Sequence, residues 1–436
     1  MKRTPLFWIL LLSVVLRVGA SIFLGDKVVV LPGTSDQVSY HNLALRVLGG
    51  YGFTFDKDWW PATRAGEPTA HWSYLYTLFL VVVYWIFGPH PIAARLIQAI
   101  SIGLIHPYLV YKLGNRLFSH TAGLIAAFIT AVYIYFIYYA ATLMTEPFYI
   151  TAILCSLLML FKNSQPGRTQ RIQVTDAVYL GLSFGAAILL RQLYLLIIPF
   201  ALLWLVWACK KSFQHFPLRQ ITISLVIIFV LIMPFTIYNY NRFGRFVLLN
   251  TNAGFAFFWG NHPIYGSSFI PILTSDQYRE LLPQDQLHLD EAALDQELLN
   301  RAIGFVTADP IRYFNLSISR ISSYIEFWPS ANSGLISNIS RVASFGIFLP
   351  FMLWGLVLDI ANRKQDFWIE LASPSSFIIL FGVVYAGIHI LTWTLIRYRL
   401  PIDAVLILYA AIAIENFYTR WIKIRSKKPL LRKELQ

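Results

Sequence analysis

A chain of 436 residues would ordinarily fold as about two or three water-soluble domains, but 57% hydrophobic residues, 13% charged residues and a mean hydropathy of +0.58 leave too little polar surface for that. Collagen-like, disordered and disulfide-rich classes are excluded, and the two cysteines, Cys155 and Cys209, both lie inside apolar runs. A net charge of +13 invites a nucleic-acid reading, but the placement of the basic residues explains it otherwise, and no nucleic-acid partner is expected.

A bilayer core of roughly 30 Å takes about 20 apolar residues as helix, because unpaired backbone groups are too costly in hydrocarbon. Ten stretches fit, over 5–24, 92–111, 121–142, 147–161, 174–190, 192–208, 221–238, 342–360, 375–395 and 400–418. The first lacks a small-residue cleavage site and reads as a span rather than a removable signal. The expected fold class is an all-α polytopic membrane protein with about ten transmembrane helices and interfacial helices outside the membrane.

One further run, Trp72 to Phe87, lies between Glu67-Pro68 and Gly88-Pro89-His90-Pro91, and reads either as a span or as an interfacial helix. Charge arbitrates. If the run lies flat, Lys2 and Arg3, Lys112 and Arg116, Lys162, Arg168 and Arg171, Lys210, Lys211 and Arg219, Arg363 and Lys364, and the cluster from Arg420 to Lys433 share one side. Those are the majority of the 35 Lys and Arg, as the positive-inside rule requires of cytoplasmic segments. The flat reading puts both termini in the cytoplasm, with the basic excess facing anionic lipid.

Two outer segments are too long for turns, 25–91 and 239–341, and they divide the chain into an N-terminal transmembrane module (1–238), an outer loop region (239–341) and C-terminal spans with a basic tail (342–436). In the second segment, Asp290 to Ile303 has the apolar spacing of an amphipathic helix capped by Asp290, and Asp309-Pro310 starts another. Ile311 to Phe327 suits a helix on the membrane surface. The acids from Asp276 to Glu297 read as a solvated helix face.

The chemistry-bearing candidates lie where spans end on the outer side. Asp36 opens a helix after the first span, and its plain reading is an N-cap; Glu146, in Thr145-Glu146-Pro147, has the same plain reading at the end of the third span. Together they mean more, since the topology puts both carboxylates on one face of the membrane, whereas a transporter more often holds its acids at midplane. Two such acids suit a reaction in which one carboxylate takes a proton from a hydroxyl while the other orients groups, with a divalent cation as an open alternative and metal ligands unassigned. Arg191 ends the fifth span, and Arg397 and Arg399 flank Tyr398 where the ninth turns into the tenth. Their planar forks suit phosphate oxygens, against a plain reading as lipid-snorkelling groups, and Arg399 before Pro401 reads as the stronger candidate.

Asn250 to Pro263 combines amides, glycines and aromatics, the groups that hold sugars and also the groups of an interfacial belt. His71, beside Trp72, reads as an interface residue, with no second His at metal spacing. Neither a Walker loop nor a GxGxxG fingerprint is present, so nucleotide binding is unsupported.

This layout resembles the GT-C glycosyltransferases, in particular the bacterial relatives of protein O-mannosyltransferases and of the lipid A aminoarabinose transferase. The resemblance rests on the Asp36 loop with Tyr40 and Ala44 before Gly49-Gly50-Tyr51-Gly52, on Glu67-Pro68 and the short helix ending Ile86-Phe87-Gly88, on Thr145-Glu146-Pro147, on Gly260-Asn261-His262-Pro263 and on Arg397 to Ile402. It implies a polyprenyl-phosphate sugar donor, membrane lipid as partner, and a bacterial inner membrane with the active site facing the periplasm or exterior. It gives Asp36 and Glu146 the catalytic roles and Arg399, Arg397 and Arg191 the donor phosphate, leaving Tyr40, Glu67, His71, Asn261 and His262 for sugar or acceptor. The chain departs from the common Asp-Glu pair, because Gln37 follows Asp36. The rival reading is a polytopic transporter or lipid-sugar flippase, for which Arg17 is the main midspan charge and internal repeats are missing; a non-catalytic scaffold is the third.

Overall fold

The computed structural model describes residues 4–164, 174–213, 216–269, 273–331, 333–363 and 366–431. Of the basic residues used for orientation, Lys2, Arg3, Arg168, Arg171, Lys364, Arg432 and Lys433 lie outside these. The apolar runs all become helices, as hydrocarbon demands of a backbone that must satisfy itself. Helix α1 (Pro5–Leu24) leads into the first outer segment with α2 (Asp36–Leu48) and α3 (Tyr74–Phe87). Then follow α4 (Pro91–Leu117), α5 (His120–Val132), α6 (Ile134–Ala140), α7 (Glu146–Ser164), α8 (Val174–Leu190), α9 (Ile198–Phe213) and α10 (Leu218–Phe243). The second outer segment carries α11 (Ala253–Asn261), α12 (Ser275–Glu280), α13 (Glu291–Ala308) and α14 (Pro310–Tyr324). A further helix, α15 (Leu335–Arg341), passes through a π turn into α16 (Ile347–Ala361), followed by α17 (Phe367–Glu370), α18 (Pro374–Leu391) and α19 (Leu400–Leu431). Among the described residues the only β pairing is two isolated bridges, Thr54 with Pro68 and Trp59 with Thr63.

Eight helical stretches among the described residues are long and apolar enough to cross a membrane. The pair α5 and α6, bent by 56°, passes the same test when taken together, which gives up to nine against the ten expected, and α8, at the remaining expected position, is a shorter apolar helix. The bend corrects the expected straight span over 121–142. Tyr133 is extended there (φ −66°, ψ 112°), which strands the last carbonyls of α5 inside the bundle. Arg17, fully buried on α1, takes them: Nη2 donates to Thr130 O at 3.0 Å and Nη1 to Ala131 O at 3.1 Å, with a further bond to Ser13 Oγ at 2.7 Å. The midspan charge therefore serves the backbone.

Helix α3 has 14 residues, about 21 Å at the α-helical rise, which falls well short of a bilayer core. One flank, with Tyr76, Leu80 and Tyr84, is buried, while Val82, Trp85, Ile86 and Phe87 are exposed. In the loop before α2, Arg95 of α4 donates to Lys27 O (2.9 Å) and to Gln37 Oε1 (3.3 Å), and Gln37 reaches Thr34 Oγ1 at 3.2 Å. Gln37, the departure from the Asp-Glu pair, is a strut of this loop.

Caps in the second outer segment follow the sequence. Asp290 accepts from Ala293 N at 2.8 Å and Asp309 from Arg312 N at 2.9 Å. Along α14, Ile311, Phe314 and Ile318 form an exposed apolar stripe. The expectation that the acids before Glu297 are all solvated needs correction. Glu291 is 5% exposed and accepts from Ala70 N (2.8 Å), Thr63 Oγ1 and Thr251 Oγ1, because the first outer segment folds over the start of α13.

Candidate active site

Four charged residues converge from four helix ends. Asp36 is the first residue of α2, Glu146 the first of α7, Arg191 an extended residue between α8 and the 3₁₀ turn Gln192–Ile197, and Arg397 lies in the 3₁₀ turn Ile396–Arg399 before α19. Breaks of this kind put polar side chains at the rim of an apolar bundle, since the interrupted backbone needs water or side-chain partners.

Arg397 is the bridge. Its Nη1 lies 2.8 Å from Asp36 Oδ2 and its Nε 3.6 Å from Glu146 Oε1, while Arg191 Nη2 meets the same Glu146 oxygen at 2.5 Å. Arg191 Nε also donates to Thr145 Oγ1 at 3.2 Å, and both guanidiniums lie over the Tyr398 ring, at 5.2 and 5.3 Å. Arg397 Nη1 further donates to Gly33 O at 3.2 Å. Gly33 has φ +71°, and a Cβ there would fall 2.8 Å from the Tyr139 hydroxyl, so the turn that presents this carbonyl requires glycine.

One guanidinium contacts both carboxylates, so residues 36 and 146 lie at the same end of the bundle, as the flat reading of 72–87 requires.

The four side chains differ in access. Glu146 is 1% exposed, Arg397 11%, Arg191 18% and Asp36 22%. The plain reading of both acids as helix caps does not hold: Ser35 occupies the N-cap of α2, and each carboxylate faces an arginine. Pairing of each acid with a guanidinium is also the wrong donor set for a divalent cation, and among the described residues no group of three His, Cys, Asp or Glu side chains is placed to hold one.

Tyr40 and His71 flank the cluster. Tyr40, 6% exposed, packs edge-on against Trp72 and Tyr76, and its hydroxyl accepts from Ser73 N at 3.4 Å. Burial and then the Asp36 carboxylate push its phenol up, so it stays neutral. His71 is half-buried, its Nδ1 3.2 Å from Thr251 O. Around it, Gln192, Asn250 and Asn252 form an amide clasp: Gln192 Nε2 donates to Asn252 Oδ1 at 3.0 Å, and Asn250 Nδ2 to Ala70 O and Trp72 O, both at 2.9 Å. Gln192, Thr145 and Tyr398 were not singled out from sequence, although each adjoins a residue that was.

Other candidates are placed elsewhere. Arg399, expected to be the stronger phosphate ligand, is 1% exposed and buried in the bundle, where Nε meets Asp403 Oδ1 at 3.0 Å, Nη1 donates to Tyr324 O at 2.9 Å, and the guanidinium lies 3.5 Å from the Phe345 ring centroid. The cause is helical phase: at three residues per 3₁₀ turn, positions two apart point in different directions, so Arg397 and Arg399 cannot face one site. Asn261 is fully buried, taking Arg320 Nη2 on Oδ1 at 2.9 Å and giving Nδ2 to Phe257 O, and His262 accepts from Ile264 N at the helix end. Asn261 thus joins α11 to α14, and His262 packs against Phe305 of α13. Glu67 is exposed on the rim of a separate cavity of about 200 Å³, with Arg64, His288 and Asp290.

Comparison with known proteins gives the fold. The family model described as dolichyl-phosphate-mannose-protein mannosyltransferase matches residues 72–238. No curated protein matches the sequence. Among solved structures, the apo oligosaccharyltransferase of Archaeoglobus fulgidus superposes with TM-score 0.61 at 14% identity, covering 99% of this chain and 52% of that one. The archaeal oligosaccharyltransferase AglB from Archaeoglobus fulgidus, in complex with an inhibitory peptide and a dolichol-phosphate, gives 0.57 at 14% identity over 98% of this chain and 52% of that one. ArnT from Cupriavidus metallidurans bound to undecaprenyl phosphate gives 0.51 at 14% identity, over 94% and 60%. The chain thus spans about half to three fifths of the length of these proteins.

Proposed function

The chain has the GT-C fold, and from that premise we propose that it is a glycosyltransferase, moving a sugar from a polyprenyl-phosphate donor to an acceptor hydroxyl on the extracytoplasmic face of a bacterial inner membrane. The observation that carries this reading is the Asp36–Arg397–Glu146–Arg191 chain at the outer rim of the bundle. The donor named in the matched family and the lipid phosphates named with two of the similar structures support the choice of donor.

The residues divide the work by access and charge. An acceptor oxygen attacks the anomeric carbon from the side opposite the phosphate, so the new C–O bond forms as the bond to the phosphate oxygen breaks, and the configuration inverts. Asp36, the most open of the four, takes the hydroxyl proton. Two carboxylates and two guanidiniums sum to zero charge at rest. As Asp36 is neutralised, Arg397 loses its closest anion at the moment when the leaving lipid phosphate gains a negative charge. The arginine is released to the phosphate by the same proton transfer that creates the need for it. Glu146, sealed at 1% exposure, keeps Arg191 and Arg397 aimed throughout.

The transporter or flippase reading finds no support in Arg17, whose guanidinium is spent on the carbonyls at the α5–α6 bend. The test is Asp36→Asn in purified protein, assayed for transfer from an undecaprenyl-phosphate sugar. Loss of transfer with retained binding of undecaprenyl phosphate is expected; wild-type rates remove Asp36 from the mechanism.

A further inference from the structure

Arg191 and Arg397 come from distant parts of the chain, one just after α8 and one just before α19, yet both reach the same oxygen of Glu146, at 2.5 and 3.6 Å. Two guanidiniums so close repel each other. At rest Asp36 helps to offset them, 2.8 Å from Arg397. In the proposed reaction Asp36 takes a proton, and Glu146 then remains as one anion for two cations. A further, uncharged group is needed to hold the pair together at the moment when the phosphate needs both.

Tyr398 lies where such a group is needed. Its ring centroid is 5.2 Å from the Arg191 guanidinium and 5.3 Å from that of Arg397, both inside the range at which the ring quadrupole attracts a cation. The ring is itself held in place. His389 of α18 stacks on it at 4.7 Å with 23° between the planes, and Tyr324 of α14 stacks on His389 at 6.2 Å. The Tyr324 hydroxyl also donates to Tyr398 O at 3.3 Å. In these contacts Tyr398 uses its ring and its backbone, and its hydroxyl has no protein hydrogen bond among the described residues.

We propose, building on the transferase reading, that Tyr398 is a positioning residue for the donor phosphate: its ring holds Arg191 and Arg397 side by side without spending their charge. A carboxylate that orients an arginine also neutralises it, and competes with any arriving anion. An aromatic ring orients the same arginine and leaves its full positive charge for the lipid phosphate. The cost of ordering two long side chains is then met before the lipid arrives, and binding gains by that pre-organisation. Affinity for a lipid phosphate should therefore follow the electron density of the aromatic ring at position 398, and not the presence of its hydroxyl.

The experiment uses full-length protein in detergent with undecaprenyl phosphate as the ligand. Tyr398→Phe is the reference, and 4-fluoro-, 3,5-difluoro- and 3,4,5-trifluorophenylalanine are placed at the same position by nonsense suppression. These rings keep the shape of phenylalanine while fluorine withdraws electron density from the face. The Kd for undecaprenyl phosphate is expected to rise stepwise along the series, to about tenfold above the reference for the trifluorinated ring. The unfolding temperature without ligand is expected to stay at that of the reference, which separates a weakened arginine pair from a damaged fold. Tyr398→Leu, with no ring, is expected to bind at least as weakly as the trifluorinated protein. A flat series overturns the proposal, because the ring then only fills space. A folded Tyr398→Phe protein that binds no undecaprenyl phosphate overturns it too, by giving the role to the hydroxyl. Failure of the transferase reading is read separately: a wild-type protein that binds undecaprenyl phosphate but transfers no sugar from its glycosylated form sinks that reading, while the binding series still decides the role of Tyr398.

Discussion

Two arginines that pair with carboxylates, Arg397 and Arg399, lie two residues apart in the sequence and have opposite surroundings. In the bundle, Arg399 and Asp403 are both buried, Tyr133 adds its hydroxyl to Asp403 at 2.8 Å, and the carbonyls of Tyr324 and Glu326 take Arg399 Nη1. At the rim, Arg397 is shared between two acids, and one of those acids, Asp36, is 22% exposed. The interior pair is closed: its charges are matched by groups that cannot leave. The rim cluster is open, with one guanidinium dividing its attraction between carboxylates that compete for it, so a newly arriving anion or a proton on Asp36 changes the partition. Burial and partner count distinguish the two clusters here, although both are built from arginine and carboxylate.

Asp36→Asn sharpens that contrast most. A positioned general base is worth about 10²–10⁴ in rate, and transfer should fall within that range, with thermal stability in detergent close to wild type. Asp403→Ala should do the reverse. It leaves Arg399 buried without its counter-ion, a loss of about 3–5 kcal/mol, read as a lower unfolding temperature and faster proteolysis. If Asp403→Ala instead lowered turnover in a normally stable protein, the division between the two clusters would fail. Arg397→Lys is the intermediate case. Lysine keeps the charge but cannot contact two acids and Gly33 O with one planar fork, so the KM for the donor should rise about tenfold, the loss of about one charge-assisted hydrogen bond.

Much of the fold was legible because its signal is one-dimensional. Ten apolar runs of near-span length, with the basic loops gathered on one side, leave few arrangements, and the caps at Asp290 and Asp309 follow from local hydrogen bonding. The acids and Arg191 were legible for a related reason, as each interrupts an apolar pattern. What sequence could not supply was phase and distance. Choosing Arg399 over Arg397 depends on the direction of each side chain in a 3₁₀ turn of four residues. Asn261 resembles a sugar ligand until Arg320, 59 positions away, is found against it. Glu291 looks like one more solvated acid on an amphipathic helix, because the threonines that bury it come from positions 63 and 251. The bend at Tyr133 was hidden by an apolar run that continues unbroken through it, and its signal was the otherwise unexplained Arg17 one helix away.

The smallest effect concerns an acid that belongs to neither cluster. Asp295 on α13 lies where α11 approaches so closely that a Cβ on Gly254 would fall 1.8 Å from Asp295 O, and its Oδ1 accepts from Phe255 N at 3.1 Å. Burial pushes its carboxyl up to about 7, against the amides of Phe255 and Gly254, which favour the charged form. In the unfolded chain the same group titrates near 3.8. Between those values the folded protein binds the extra proton, so its stabilising contribution is complete below about pH 4, declines as pH rises towards 7, and is absent above that. Asp295→Asn preserves the acceptor for Phe255 N without the buried charge. It should flatten this slope, raising the unfolding temperature at pH 8 and leaving it unchanged at pH 4. A variant no more stable than wild type at pH 8 would mean that water reaches this carboxylate, and that the α11–α13 contact is looser than the Gly254 approach implies. Transfer activity measured at pH 7 should be unaltered in either case, because Asp295 touches none of the four rim charges.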